Sequence, residues 1–533
     1  MKRNSKAITA LVSLAALTLG LSAPAALAQK SGGILKPYSR GTPPSGSILE
    51  EATFDTSTPY MGVMNNLIMF DQSKPKNSLE TIVPDLATSW AWNDDKTKLT
   101  FKLREGVKWH DGKPFTAKDV KCTFDLVQGK GKAKLRKNPR KTWFENLDSV
   151  TVKGDFEVTL NLKRAQAAFP MLLASGYTPI YACHVPPKDM RTHPIGTGPF
   201  KFVALKQNES IKFEKNKDYW KKNRPYLDGI EYTIIKSRST RVLGLVAGKF
   251  DMSFNNDITV PLREDIMSQA PHMVCDRIAG ASINLIVNKD NPPFNNPKIR
   301  QAMVLTIDRK AFIDIISKGE NKQGGAMLPP PQGTWGMTTE FLNTVAGYNP
   351  DVKANREKAR ALMREVGYGP DKRLKMEVAT RNVATYRDPA VILIDHLKEI
   401  YIDATLKTIE TSNWHATVAR KDYSVGLNAT AVGVDDPDAN FFENYSCGSQ
   451  RNYTGYCNKD LEKLFVKQSM MSDQEARKKL VWEIDKTLQE DAARPMIYHL
   501  QGFNCRQPYV KGIVSHVNSL YNGWRMEDVW LDK

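Results

Sequence analysis

The chain has 533 residues, and 41% of them are hydrophobic, enough for folded cores and too many for a disordered or low-complexity protein. Its 76 Lys and Arg against 58 Asp and Glu give a formal charge of +18, but the acids are interspersed with the bases, so the balance reads as a mixed surface and not as a nucleic-acid-binding one. Past the N-terminus, no window approaches the ~18 uninterrupted apolar residues that a spanning helix needs, so the mature protein is expected to be soluble and exported.

The first element is a secretory signal. A basic "MKRNSK" is followed by the apolar "AITALVSLAALTLGLSA", and Ala26–Ala28 supplies a small-x-small cleavage site before Gln29. No cysteine lies near that site, which argues against a lipid anchor. Cleavage after Ala28 leaves about 505 residues, or three or so domains at ~150 residues each.

"LTFKL" (99–103) and "EVTLNL" (157–162) alternate with period two and read as strands. Between them, the Asp111-Gly112 turn precedes a helix start, with Thr116 as N-cap and Asp119 three positions on. The run "KGKAKLRKNPRK" (130–141) has seven basic residues and no acids. It reads as a solvated loop, with a polyanion-binding arm as the competing reading. "HPIGTGPFKF" (193–202) holds a Gly-x-Gly, but Pro199 and alternating strand residues follow, so it is a turn into a hairpin and not a phosphate loop. A strand "GIEYTII", a helix "RSTRVLGLVAG" and "FDMSF" come next.

The second half alternates helices with strands. Residues 296–317 read as one helix, and further helices open at "ANREKARALMREVGY", "DPAVILIDHLKEIY", "NKDLEKLFVKQSM" and "DQEARKKLVWEIDKTLQED". "LKMEVAT" and "YSVGLNA" are strands between them, so α/β lobes are expected. There is no His-Glu-x-x-His and no Gly-x-Ser-x-Gly. The 8 histidines are scattered, and "DDPD" (435–438) lacks the spaced oxygens of a calcium loop. No catalytic group, metal or cofactor is expected. The 6 cysteines have no C-x-x-C spacing. In an exported chain they can form disulfides, and Cys447 and Cys457 bracket a short loop suited to one, but six cysteines allow 15 pairings.

Several segments together resemble the family 5 extracellular solute-binding proteins, the dipeptide- and oligopeptide-binding components of ABC importers. They are "WHDGKPFTAKDVKCTFD", "IGTGPFKFVALKQNESIKFEKNKDYW", "RPYLDGIEYTII", "VAGKFDMSF", "IRQAMVLTIDRKAFI" and "CGSQRNYTGYCNKDLEKL", in that order over nearly all of the mature chain. The resemblance implies a periplasmic binding protein-like α/β fold with two lobes, a hinge and three domains. The first lobe would comprise 29–69, 185–280 and 496–533, with an extra domain inserted at 70–184, and the second lobe would be 281–495. It also implies a monomeric periplasmic receptor that takes a solute of the peptide, opine or oligosaccharide class to ABC permease subunits in the inner membrane. An exported hydrolase of peptide or glycan is the alternative.

Those boundaries place Cys122 with Cys183 in the inserted domain and Cys275 with Cys505 near the interlobe crossings, and leave Cys447 with Cys457. Among site residues, the resemblance gives Trp414 as a cleft tryptophan, with a core role as the competing reading. It also gives the loop "AVGVDDPDANFF" as the one whose aspartate holds a peptide's ammonium group. Aligning Asp436-Pro437 on the family's Asp-Pro puts Gly433 where that aspartate sits, with Asp435 displaced by two residues. An ammonium left without a carboxylate costs several kcal/mol, which argues against an ordinary peptide ligand, the competing reading being a slipped loop in which Asp435 takes over the ammonium. Asp435, Asp436 and Trp414 are expected at the solute, with Tyr60, Asn255 and Asn256 from the first lobe's segments.

Overall fold

The computed structural model describes residues 29–431 and 433–533; the expected signal segment, 1–28, lies outside the described residues. Three sheets organise the chain. In the first lobe, Phe200–Lys206 and Ser210–Lys215 form the expected hairpin, turning at Asn208 with φ 58°. Gly229–Ile234 pairs antiparallel with the second of these and takes the N-terminal strands Ile34–Leu35 and Tyr38–Ser39 in parallel. The glycines ahead of the hairpin are there for close approach. A Cβ on Gly196 would lie 1.8 Å from the Val63 carbonyl oxygen, and one on Gly198 would lie 2.5 Å from that of Gly62.

The second sheet is antiparallel, in the order Ala87–Trp92, Lys98–Leu103, Glu157–Leu162, Leu147–Lys153. Along Glu157–Leu162 the apolar Val158, Leu160 and Leu162 are buried in alternation. Helix Ala117–Gln128 covers that face with Val120, Phe124 and Val127. Its Thr116–Asp119 capping box forms, and Asp119 also accepts from the Cys183 amide at 2.9 Å.

The third sheet belongs to the second lobe, in the order Ile402–Ile409, Leu374–Arg381, Val425–Ala431, Ala281–Val287, Met496–His499. Its first three strands are parallel, and Ala281–Val287 runs antiparallel to both neighbours with every residue buried. The helices fall where periodicity puts them, with one correction. Residues 296–317 form two helices, Pro297–Leu305 and Arg309–Ser317, because the Asp308 side chain caps the second by accepting from the Ala311 amide at 2.9 Å. "FDMSF", left unassigned by its pattern, holds only the isolated bridges of Met252.

A two-stranded antiparallel ribbon, Val274–Ile278 against Gly502–Arg506, joins the lobes. Cys275 faces Cys505 in its register and is bonded to it, while Cys122 bonds Cys183 and Cys447 bonds Cys457. This is the pairing the resemblance implies.

Candidate functional site

The site lies between the lobes and is built on a short segment of the first lobe, residues 49–60. Thr53 caps helix Phe54–Tyr60 by accepting from the Asp55 amide at 3.2 Å, which fixes Asp55 in the first turn. The Asp55 carboxylate accepts from Arg40 Nε at 3.1 Å and from Arg381 Nη2, across the cleft, at 2.6 Å. All three side chains are buried. Burial pushes the Asp55 carboxyl up, but the Arg40 and Arg381 guanidinium groups outweigh it and hold it well below the usual carboxylate range. Arg381 is fully used: Nη1 donates to the Tyr386 hydroxyl at 2.8 Å and Nε to Thr411 Oγ1 at 3.3 Å. Arg40 lies over the Phe54 ring, 4.4 Å from its centroid.

The preceding residues receive two more arginines. Arg140 Nη1 donates to the Glu51 carbonyl, and Arg451 Nη1, from the second lobe, donates to the Ala52 carbonyl at 2.9 Å. The Arg140 guanidinium lies 3.4 Å from the centroid of the Tyr177 ring. Arg451 Nε is 3.2 Å from Glu443 Oε1. The Glu51 carboxylate is taken by Arg136 at 2.7 Å and Lys137 at 3.6 Å. The basic run therefore divides: Lys130, Lys132 and Lys134 are exposed, as a solvated loop requires, Arg136 and Lys137 reach the Glu51 carboxylate from the surface, and Arg140 is buried against the Glu51 carbonyl.

Gly433 sits against Trp143. A Cβ there would lie 2.5 Å from Trp143 Cη2 and 2.9 Å from Ser175 Oγ, so an aspartate at 433 and Trp143 in this position exclude one another. Trp143 is held by its Nε1–H donating to the Ala439 carbonyl at 2.9 Å, and Gln166 donates to Asp438 at 2.7 Å nearby.

The other expected site residues are placed as follows. Asp436 caps helix Pro437–Asn444 and is bound bidentately by Arg477 at 2.8 and 2.9 Å, which leaves it committed to the second lobe. Asp435 accepts from the Thr334 amide at 2.9 Å through Oδ2, while its buried Oδ1 has no protein partner. Burial raises its carboxyl to about 6. Both aspartates line a cavity of about 260 Å³ with Trp335, Arg477, Asn77 and Met171, apart from the residues around Glu51. Trp414 is fully buried among Ile286, Val418, Tyr423 and Tyr453 and donates to Asn428 Oδ1 at 3.0 Å, the core placement. Tyr60 packs edge-on to Phe213 in the first lobe. Asn255 donates to the Leu520 carbonyl at 2.6 Å. Asn256, at φ 55°, meets the ribbon through Asn504.

Sequence reasoning missed Arg40, Arg140, Arg381 and Arg451. Charged side chains are almost never fully buried unless paired, and nothing in the sequence around these arginines announces their partners.

The chain matches the model of the bacterial extracellular solute-binding proteins, family 5 Middle, over residues 81–452. It is 27% identical to the oligopeptide-binding protein AppA of Bacillus subtilis, with both chains covered in full. Its fold superposes on the ABC transporter-associated periplasmic binding protein DppA of Helicobacter pylori, solved with the peptide STSA, with a TM-score of 0.80 and 23% identity over 95% of this chain and 99% of that one. It superposes on AgaA of A. tumefaciens R10, solved with agropinic acid, with a TM-score of 0.79 and 22% identity over 94% and 99%.

Proposed function

The chain belongs to the bacterial extracellular solute-binding proteins of family 5, and from that premise we propose that it captures a small solute between its lobes, unchanged, and delivers it to the permease of an ABC importer. The observation that carries this reading is the way the lobes meet. Among the described residues, only the ribbon of Val274–Ile278 and Gly502–Arg506 leads directly into the second lobe's sheet from the first lobe. The Cys275–Cys505 bond holds its strands together, so rotation falls on residues 279–280 and 500–501, where Gly280 has φ 110°. Across the cleft the lobes meet through polar contacts, among them the Arg381–Asp55 ion pair and the hydrogen bonds of Arg451 to Ala52, Trp143 to Ala439, Gln166 to Asp438, Asn522 to Gly433 and Tyr521 to Ala431.

Among the described residues no helix is long and apolar enough to cross a membrane, and the family is one of periplasmic receptors. Cleavage of the signal after Ala28, a monomeric state and the absence of turnover belong to the same reading. The solute is not an ordinary peptide, because Trp143 fills the space that an ammonium-holding aspartate at 433 would need.

Mass spectrometry of the solute released from purified protein by denaturation, with small-angle scattering before and after re-addition, tests the receptor role. The expected result is an unmodified small molecule that compacts the protein. Reproducible conversion of that molecule, abolished by one substitution in the cleft, would overturn it. For the solute class, calorimetry with di- and tripeptides and their N-acetylated forms should show weak binding by both. Binding of about −8 kcal/mol or better that acetylation abolishes contradicts the reading of Gly433.

A further inference from the structure

This inference rests on the receptor reading and names what the receptor holds. Arg140 and Arg451 approach from opposite sides of the cleft and bond to the carbonyls of adjacent residues, Glu51 and Ala52. Each is 3% exposed. Arg140 Nε and Nη2 have no hydrogen-bond partner in the protein, and Arg451 Nε has only its ion contact with Glu443. The buried Ser57 and Tyr177 hydroxyls are likewise unpartnered, and so is Arg40 Nη2. Tyr177 lies under Arg140, and its hydroxyl is approached by those of Tyr521 and Ser57 without closing a hydrogen bond to either.

The charges around them do not balance. Glu51 is taken by Arg136 and Lys137, Glu443 faces Arg451, and Asp55 is shared between Arg40 and Arg381, so no carboxylate remains for Arg140. A desolvated guanidinium without an anion is costly, and a bidentate oxyanion is the partner its planar fork fits best. On the other side, Gly433 and Trp143 remove the carboxylate position that would receive a cation. We propose that the solute carries an oxyanion, a carboxylate or a phosphate, bound between Arg140 and Arg451 with the Ser57 and Tyr177 hydroxyls as further donors.

The test uses the full mature chain, stripped of co-purified solute by denaturant with its disulfides intact and refolded. Succinate, inorganic phosphate and glycerol 3-phosphate are titrated against chloride at equal ionic strength, with glycerol as the neutral control, by thermal shift and calorimetry. At least one oxyanion should raise the melting temperature beyond chloride; succinate alone would assign a carboxylate, and the phosphates alone a phosphate. Arg140→Gln and Arg451→Gln should each weaken that binding about tenfold or more. Arg140→Lys should fall between, and Lys463→Gln, on the surface, should match the wild type. Oxyanion effects no larger than chloride's, or undiminished in both glutamine variants, overturn the proposal. Should scattering show closure on a neutral or cationic solute that persists in Arg140→Gln, the proposal fails while the receptor reading stands. If the solute released from the purified protein closes nothing, both fail.

Discussion

Arg381 Nη2 lies 2.6 Å from Asp55 Oδ2, a buried ion pair that links the second lobe's sheet to the first lobe's leading helix. Arg40 shares the same carboxylate, so losing it strands two buried guanidinium groups. Asp55→Asn should therefore destabilise the protein by about 3–5 kcal/mol in chemical denaturation and enlarge its radius of gyration in solution. The Asp55 carboxyl is held below its unfolded value of about 3.9, so its contribution is present above that pH and is lost as pH falls toward the folded value. The acid limb of the stability curve should be shallower in Asp55→Asn. Equal stability and equal size in the two proteins would refute a latch.

Asp435 acts in the opposite direction. Burial raises its carboxyl to about 6, so the folded protein holds a proton that the unfolded chain releases near pH 4. The stability this contributes is present below about pH 4 and is lost as pH rises through 6. Asp435→Asn can keep its acceptor toward the Thr334 amide without ionising. It should be more stable than wild type at pH 8 by on the order of 1–3 kcal/mol, with the difference vanishing near pH 4. A variant less stable at both pH values would show that the charged form is needed.

Gly433 and Trp143 are coupled by contact, because a Cβ at 433 would stand 2.5 Å from the indole. Gly433→Ala should cost about 1–3 kcal/mol through overpacking. Trp143→Ala removes the obstructing ring, so the double variant should be more stable than the sum of the two single losses implies. Additive thermal denaturation data for the three variants would contradict the contact.

The disulfides make a covalent prediction. Non-reducing peptide mapping of exported protein should recover Cys122–Cys183, Cys275–Cys505 and Cys447–Cys457 and no free thiol. Replacing the Cys275–Cys505 pair with serines should lower stability by roughly 2–4 kcal/mol, since it closes the longest loop of the three, with a separation of 230 residues. Any cross-linked pair outside these three rules the ribbon register out.

Local chemistry was readable from the chain itself. The hairpin after Gly198, the Thr116–Asp119 cap and the alternation of strands and helices depend on neighbours within a few residues, where periodicity and turn preferences act. The proposal that Gly433 replaces an ammonium-holding aspartate also started from the sequence, as a one-residue departure from a motif. What fills the space was not. Trp143 reaches the helix after Gly433 across a separation of 296 residues, and Asp55 meets Arg381 across 326. Asp436 looked like a ligand group until Arg477, 41 residues on, claimed both its oxygens. A buried charge is tolerable only beside its partner, and which partner it finds is decided by how distant segments pack, so the cleft's surplus of arginine emerged only once the lobes were assembled.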